Sequence, residues 1–159
     1  VLRDTGSRAS ELCDLELRDV DIKTGAMQVR RGKGDKGRTV YLGNLARDAV
    51  WRYVSKRQDT RPDDPLFETS KRQRMDRNAL RKMLGSAGER AEIVEPVTPH
   101  RLRHTFAITY LRNGGDVYTL QRLLGHSSMD MVRRYLALAQ TDIAEAHRRA
   151  SPVDNWRLG

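Results

Sequence analysis

In the stretch "TPHRLRHTF", His100 and Arg103 stand three residues apart. That spacing puts both on one face of a helix. Thr98 and Pro99 just before them predict the helix N-terminus, where the partial positive charge of the backbone favours an anion. "DTGSRASELCDL" holds a second arginine near a predicted helix start, Arg8, with Glu11 three residues on and able to hold its guanidinium. In "LLGHSSMDMVRRYLAL", His126 follows the helix-stopping Gly125, and Tyr135 comes nine positions later. An arginine fork can grip two phosphate oxygens at once. Chemistry at phosphorus without a metal needs such cations beside groups that move protons. A tyrosine can attack phosphorus when its proton is removed and the anion is held. By frequency, Tyr135 also reads as an ordinary buried tyrosine. His104 falls in line with Ile108 and Leu111 and reads as a packing histidine, and Arg101 is displaced toward solvent or backbone.

The segment "RGKGDKGRTVYL", residues 31–42, is one residue away from the phosphate-binding pattern G-x-x-x-x-G-K-[ST], with Arg38 in place of the lysine. A nucleotide-binding loop follows a strand and opens a helix, whose N-terminus helps hold the phosphate. Here the loop is followed by "RTVYL", which has strand character, so the nucleotide reading is rejected. What remains is a hairpin tip carrying Arg30, Arg31, Lys33, Lys36 and Arg38 against Asp35 alone.

These residues need elements to position them. "SRASELCDLELRDVD" has helical spacing, with Leu12 and Leu15 on one face and Ser7 placed to cap it. "AMQVRR" and "RTVYL" predict the two strands of the hairpin. "GNLARDAVWRYVSKRQ" reads as an amphipathic helix with Leu45, Val50, Trp51 and Val54 apolar, and "TRPDDP" as loop. "DRNALRKMLGSAGERA" is helical with a glycine interruption near its end. Gly114 and Gly115 end the helix that Thr98 begins. Asp116 caps the next helix and Gly125 stops it. Ser127 and Asp130 have capping-box spacing at the start of a helix in which Met129, Val132 and Leu136 form one apolar face and Met131, Tyr135 and Leu138 another. A last helix and a tail follow. The predicted class is α+β: mostly helix with a small antiparallel β-sheet.

The 159 residues suffice for one domain with a real core. There is no run of roughly 18 apolar residues and no signal-peptide pattern. The lone cysteine, Cys13, sits in the apolar pattern "ELCDLEL" and excludes an internal disulfide or a cysteine metal cluster. It reads as a small core residue and fits a reducing cytosol. With 30 Lys+Arg against 21 Asp+Glu, the net charge is +9, which points to a polyanionic partner, nucleic acid first. Only 6% of residues are aromatic, which argues against base-stacking platforms for single strands.

Taken in chain order, Arg8 in "TGSRASEL", Lys33 in "GKGDKGR", His100 and Arg103 in "HRLR", His126 in "LGH" and Tyr135 in "RRYL" resemble the catalytic domain of the tyrosine recombinases, the phage-integrase family. The match runs from residue 5 to about 138. The resemblance implies a fold of the DNA breaking-rejoining type and a site-specific recombinase or integrase. In it Tyr135 attacks a DNA phosphodiester, giving a 3′-phosphotyrosyl link and a free 5′-hydroxyl. Arg8 and Arg103 would hold the non-bridging oxygens. Lys33 would protonate the departing oxygen, His100 would assist the tyrosine proton, and His126 would donate to the phosphate. Glu11 would support the arginines from behind. Arg30, Arg31, Lys36 and Arg38 would face DNA, with Arg72, Arg74 and Arg77 as further candidates.

The resemblance implies neither a metal nor a nucleotide cofactor. The implied partners are double-stranded DNA and further protomers in a tetrameric synapse, engaged through a tail from about residue 139 to 159 that holds Trp156. No membrane is implied, and the compartment would be a prokaryotic cytoplasm. The family's core-binding domain has no counterpart in residues 1–159, and the missing initiator Met suggests a fragment of a longer chain. Ser7 stands where the family usually has an apolar residue, and Lys36 is a second hairpin lysine. Competing readings are a type IB topoisomerase-like enzyme, which relaxes DNA without exchanging partners, and a basic DNA-binding module without chemistry.

Overall fold

The computed structural model describes residues 1–30, 37–126, 128–139, 147–148, 151–154 and 156. Two short helices, α1 (Leu2–Thr5) and α2 (Ala9–Asp14), lead into a 3₁₀ turn at Leu17–Asp19. Strands β1 (Ala26–Val29) and β2 (Arg38–Tyr41) pair antiparallel, with Met27 opposite Val40. Helices α3 (Asn44–Val54), α4 (Arg77–Arg90), α5 (Pro99–Arg112), α6 (Val117–Leu124) and α7 (Asp130–Ala139) follow. The class is the α+β expected, seven α-helices and a two-stranded antiparallel sheet among the described residues. None of those helices is long and apolar enough to cross a membrane.

Two apolar cores hold the elements. The first gathers Leu12, Cys13 and Leu15 with Met27 and Val40 of the sheet, Val50 of α3 and Leu80 of α4. The second gathers Phe106, Ala107 and Leu111 of α5 with Leu120 and Leu124 of α6 and Val132 and Tyr135 of α7. Helix α5 packs against both α1 and α7, so it carries the chain's middle into the site from either side.

The caps explain where the helices begin. Thr98 accepts from the Arg101 N–H, Asp116 from the Thr119 N–H and Asp76 from the Ala79 N–H, each satisfying an amide with no intrahelical partner. The start of α2 differs from expectation. Ser7 is fully buried and shares a 2.9 Å hydrogen bond with Thr5. The reaching-back is done by Glu11, which accepts from the Arg8 N–H at 2.7 Å. That helix is also shorter than its pattern, because the chain turns extended at Leu15.

Other differences are informative. Helix α4 runs through Gly85 and Gly88 without interruption, and Gly88 serves close packing: a Cβ there would lie 2.7 Å from Val97. In α3 only Val50 is buried, while Leu45 and Trp51 are exposed. In α7 the buried face is Val132, Tyr135 and Ala139, and Met131 and Leu138 point outward. The first strand stops at Val29. The proposed cap Ser127, residues 31–36 and most of the last helix and tail lie outside the described residues.

Candidate active site

The site grows from two glycine turns and the amino-terminal half of α5. Gly6 ends α1 with φ +62, and a Cβ there would fall 2.3 Å from the Phe106 ring. Glycine alone supplies both the left-handed backbone and the clearance. Its carbonyl therefore reaches Arg103, which donates to it. Gly125, also with φ +62, ends α6. It turns the Leu124 carbonyl toward Arg103 (2.8 Å) and its own carbonyl toward Arg8 (3.2 Å). Two helix ends with unpaired carbonyls thus hold the two arginines.

Glu11 organises the cations from behind. It is buried and receives the Arg8 guanidinium at 2.8 Å and the Arg38 guanidinium at 2.8 Å on each of its two oxygens. Burial pushes its carboxyl up, but the Arg38 hydrogen bonds, the Arg8 N–H and the attraction of both cations outweigh it and hold the pKa at about 2. With Arg103 close by, three guanidinium charges against one carboxylate leave two positive charges. A pentavalent phosphodiester transition state carries about two negative charges, which this surplus matches. Arg103 is buried, and burial followed by repulsion from Arg8 lowers its pKa to about 10, still fully charged at neutral pH.

His126 sits 2.8 Å from Arg103 Nη2 through its Nε2. Arginine has no acceptor, so Nε2 accepts and the ring proton rests on Nδ1. That Nδ1 is buried without a partner among the described residues. Burial, then Arg103, Arg8 and Arg38, drive the His126 pKa down to about 4, so the ring is neutral at pH 7.

Tyr135 enters from α7 with 8% of its surface exposed. Its ring lies near-parallel to His126 (centroids 6.4 Å, 14°) and tilted on His104 (5.3 Å, 56°). Arg103 is close enough that a Tyr135 phenolate favours its cationic form. A cleft of about 570 Å³ is lined by Arg8, His100, Arg103, His126 and Tyr135, and also by Arg77 and Arg81 of α4. His100, one turn before His104, is exposed at its mouth.

Five of the six residues singled out for chemistry thus line one cleft, and Glu11 lies behind them. Lys33, Arg31 and Lys36 fall outside the described residues. Arg30 is half-exposed and paired with Asp19. Arg38, expected among the DNA-facing cations, is turned inward: its side chain is 11% exposed and spent on Glu11 and the Leu123 carbonyl. Arg74 is tied to the Cys13 carbonyl and Glu16. Arg101 points away to Glu95 and the Pro96 carbonyl. Two features were missed. His104 packs on the nucleophile candidate as well as on its helix, and Arg81 joins Arg77 on the cleft wall. The four-residue spacing of Arg77 and Arg81 on α4 was the available signal for the latter.

With this geometry in place, comparison with known proteins becomes decisive about family. Residues 1–142 match the model of the phage integrase family. Tyrosine recombinase XerC of Thermodesulfovibrio yellowstonii is 35% identical over 94% of this chain and 52% of its own length. Tyrosine recombinase XerA of Pyrococcus furiosus is 35% identical over 98% of this chain and 54% of its own. Among solved structures, a XerA recombinase superposes with a TM-score of 0.79 at 35% identity, covering 96% of this chain and 54% of that one. The catalytic domain of bacteriophage HP1 integrase superposes with a TM-score of 0.66 at 28% identity, covering 96% and 79%. A Tn1549 transposon integrase solved in complex with transposon right end DNA gives 0.76 at 25% identity, covering 94% and 56%. The fold is therefore that of the recombinase and integrase structures on which it superposes. The chain belongs to the phage integrase family, and it spans about half the length of the curated relatives it matches.

Proposed function

We propose that this chain is the catalytic unit of a tyrosine-type site-specific DNA recombinase. The observation that carries the reading is the convergence of Arg8, Arg103 and His126 with Tyr135 on one cleft. The Tyr135 oxygen forms a bond to the phosphorus of a DNA phosphodiester, and the bond from phosphorus to the 5′-oxygen breaks. The phenol proton passes to the His100 imidazole, which stands exposed where solvent can carry it onward. The departing 5′-oxygen takes a proton from the Lys33 ammonium. Arg8 and Arg103 hold the non-bridging oxygens, and His126 donates to one of them from Nε2 once phosphate replaces Arg103 as its partner and the ring proton moves from Nδ1 to Nε2. The phosphotyrosine keeps the bond energy, so the 5′-hydroxyl of another strand can reverse the step and exchange partners.

The partners under this reading are duplex DNA and further copies of the protein in a tetrameric synapse. Trp156, 71% exposed, suits a tail that docks on a neighbouring protomer. The +9 net charge supplies the attraction to the duplex.

The test is covalent trapping. The full-length gene product first selects its site from a random duplex library. It is then incubated with that duplex nicked within the site and run on a denaturing gel. A protein–DNA adduct is expected from the wild type, and Tyr135→Phe should lose it, by at least about a thousandfold, while binding the duplex as before. No adduct on a duplex that the protein binds would instead favour a DNA-binding module without chemistry.

A further inference from the structure

Arg38 is the least expected part of the site. Three of its donors are spent: Nε on the Leu123 carbonyl at 2.6 Å, and Nη1 and Nη2 on the two oxygens of Glu11 at 2.8 Å each. This is the fork-on-fork geometry that makes arginine–carboxylate pairs strong and directional. Each Glu11 oxygen also receives a donor from Arg8, from its guanidinium on one side and its backbone N–H on the other. Arg38 also packs against Gly125: a Cβ on that glycine would be 3.1 Å from its Nη1. One guanidinium from β2 thus touches the carboxylate that aims Arg8 and the α6 end that presents its carbonyls to Arg8 and Arg103.

We propose that Arg38 is a positioning residue, a strut that sets Arg8 and the Leu123–His126 turn in the geometry that holds a phosphate. The proposal rests on the recombinase reading for its catalytic consequence but not for its effect on anion binding. Without Arg38, Glu11 is left with Arg8 as its main partner and draws that guanidinium back from the cleft, and the surplus of positive charge falls from two to one. Lysine in its place restores the charge but has no planar fork, so it cannot bridge both Glu11 oxygens and the Leu123 carbonyl at once.

The test compares wild type, Arg38→Ala and Arg38→Lys of the full-length protein, each first checked for a cooperative melt. Two readouts are taken. One is affinity for inorganic phosphate without DNA, followed by phosphorus NMR. The other is the rate of adduct formation on the nicked duplex at saturating concentration, with duplex affinity measured alongside. Arg38→Ala should bind phosphate about tenfold more weakly and form adduct about a hundredfold more slowly, the scale of a misplaced phosphate donor. Its duplex affinity should change less than threefold, because the Arg38 donors are turned inward onto Glu11 and the Leu123 carbonyl. Arg38→Lys should stay impaired in both readouts, and added methylguanidinium should restore Arg38→Ala in part by refilling the fork. A folded Arg38→Ala with wild-type phosphate affinity and adduct rate would overturn the strut. So would full recovery by Arg38→Lys, since charge alone would then suffice. If the wild type forms no adduct on bound duplex, the recombinase reading falls, and the phosphate arm decides the strut by itself.

Discussion

The two sides of the cleft are built by different means. On the phosphate side, Arg8, Arg38 and Arg103 are fixed by charge-assisted hydrogen bonds to one buried carboxylate and to carbonyls at the ends of α1 and α6. On the other side, Tyr135 is held by ring contacts with His104 and His126 and by apolar packing. The first kind of support is directional and tolerates little displacement. The second rests on contacts that are not directional. Under the proposed reading, the directional contacts would preorganise the cations that hold the phosphate.

Removing the carboxylate should do the most damage to the fixed side. Glu11→Gln leaves Arg8 and Arg38 facing a neutral amide, half of which is a donor. Breaking a buried pair this way costs about 3–5 kcal/mol, and urea melts should show a loss on that scale at pH 7. The sign of the pH dependence follows from the depressed pKa. Glu11 ionises near pH 2 in the folded protein against an ordinary 4.5. Its contribution is therefore fully present above about pH 4.5 and is lost as pH falls toward 2. Melts across that window should show the wild type losing about 3 kcal/mol that Glu11→Gln has already lost. A wild type and a variant that decline in parallel through the window would remove Glu11 from its organising role.

The packed side should be easier to perturb and less costly. His104→Ala removes one of two ring contacts on Tyr135. Such a pair contributes about 0.5–1.5 kcal/mol, so the adduct should form roughly three- to tenfold more slowly with duplex affinity unchanged. His104→Phe keeps a ring in place and should recover the rate. If the phenylalanine variant is as slow as the alanine one, a nitrogen of His104 matters and not its ring.

How far the sequence reached differs between the two sides for a physical reason. The caps Thr98, Asp116 and Gly125 act through neighbours within a few residues, so they were legible, as was the α+β class. The Arg8–Glu11 pair is one helical turn and was legible too. What escaped was long-range or set by burial. Arg38 bonds Glu11 across 27 residues and Leu123 across 85, and no local pattern distinguishes it from the cations around it. His104 has the right spacing for core packing, and only the arrival of α7 makes its neighbour Tyr135. Ser7 looked like a cap because serine usually is one, but glutamate at the third position took that task and left the hydroxyl to Thr5. Leu45 and Trp51 belong to an apolar pattern whose burial the sequence asserts but these residues do not achieve.

The smallest effect belongs to the two arginines that α4 adds to the cleft. Arg77 and Arg81 project from adjacent turns of α4, exposed and without hydrogen bonds or ion pairs among the described residues. Unpaired among the described residues, they would, under the proposed reading, suit duplex phosphates flanking the reacting one. Each contact of that kind releases about one counterion when it forms. Arg81→Gln should therefore weaken duplex binding only severalfold at moderate salt and lower the slope of log affinity against log salt by about 1. Arg77→Gln and Arg81→Gln together should lower it by about 2. The adduct rate at saturating duplex should stay at the wild-type value in both. An unchanged salt slope would take both out of the DNA footprint. A fall in the saturated rate would move Arg81 from the duplex-binding surface to the reacting phosphate, and the contrast between the two sides of the cleft would have to include a third.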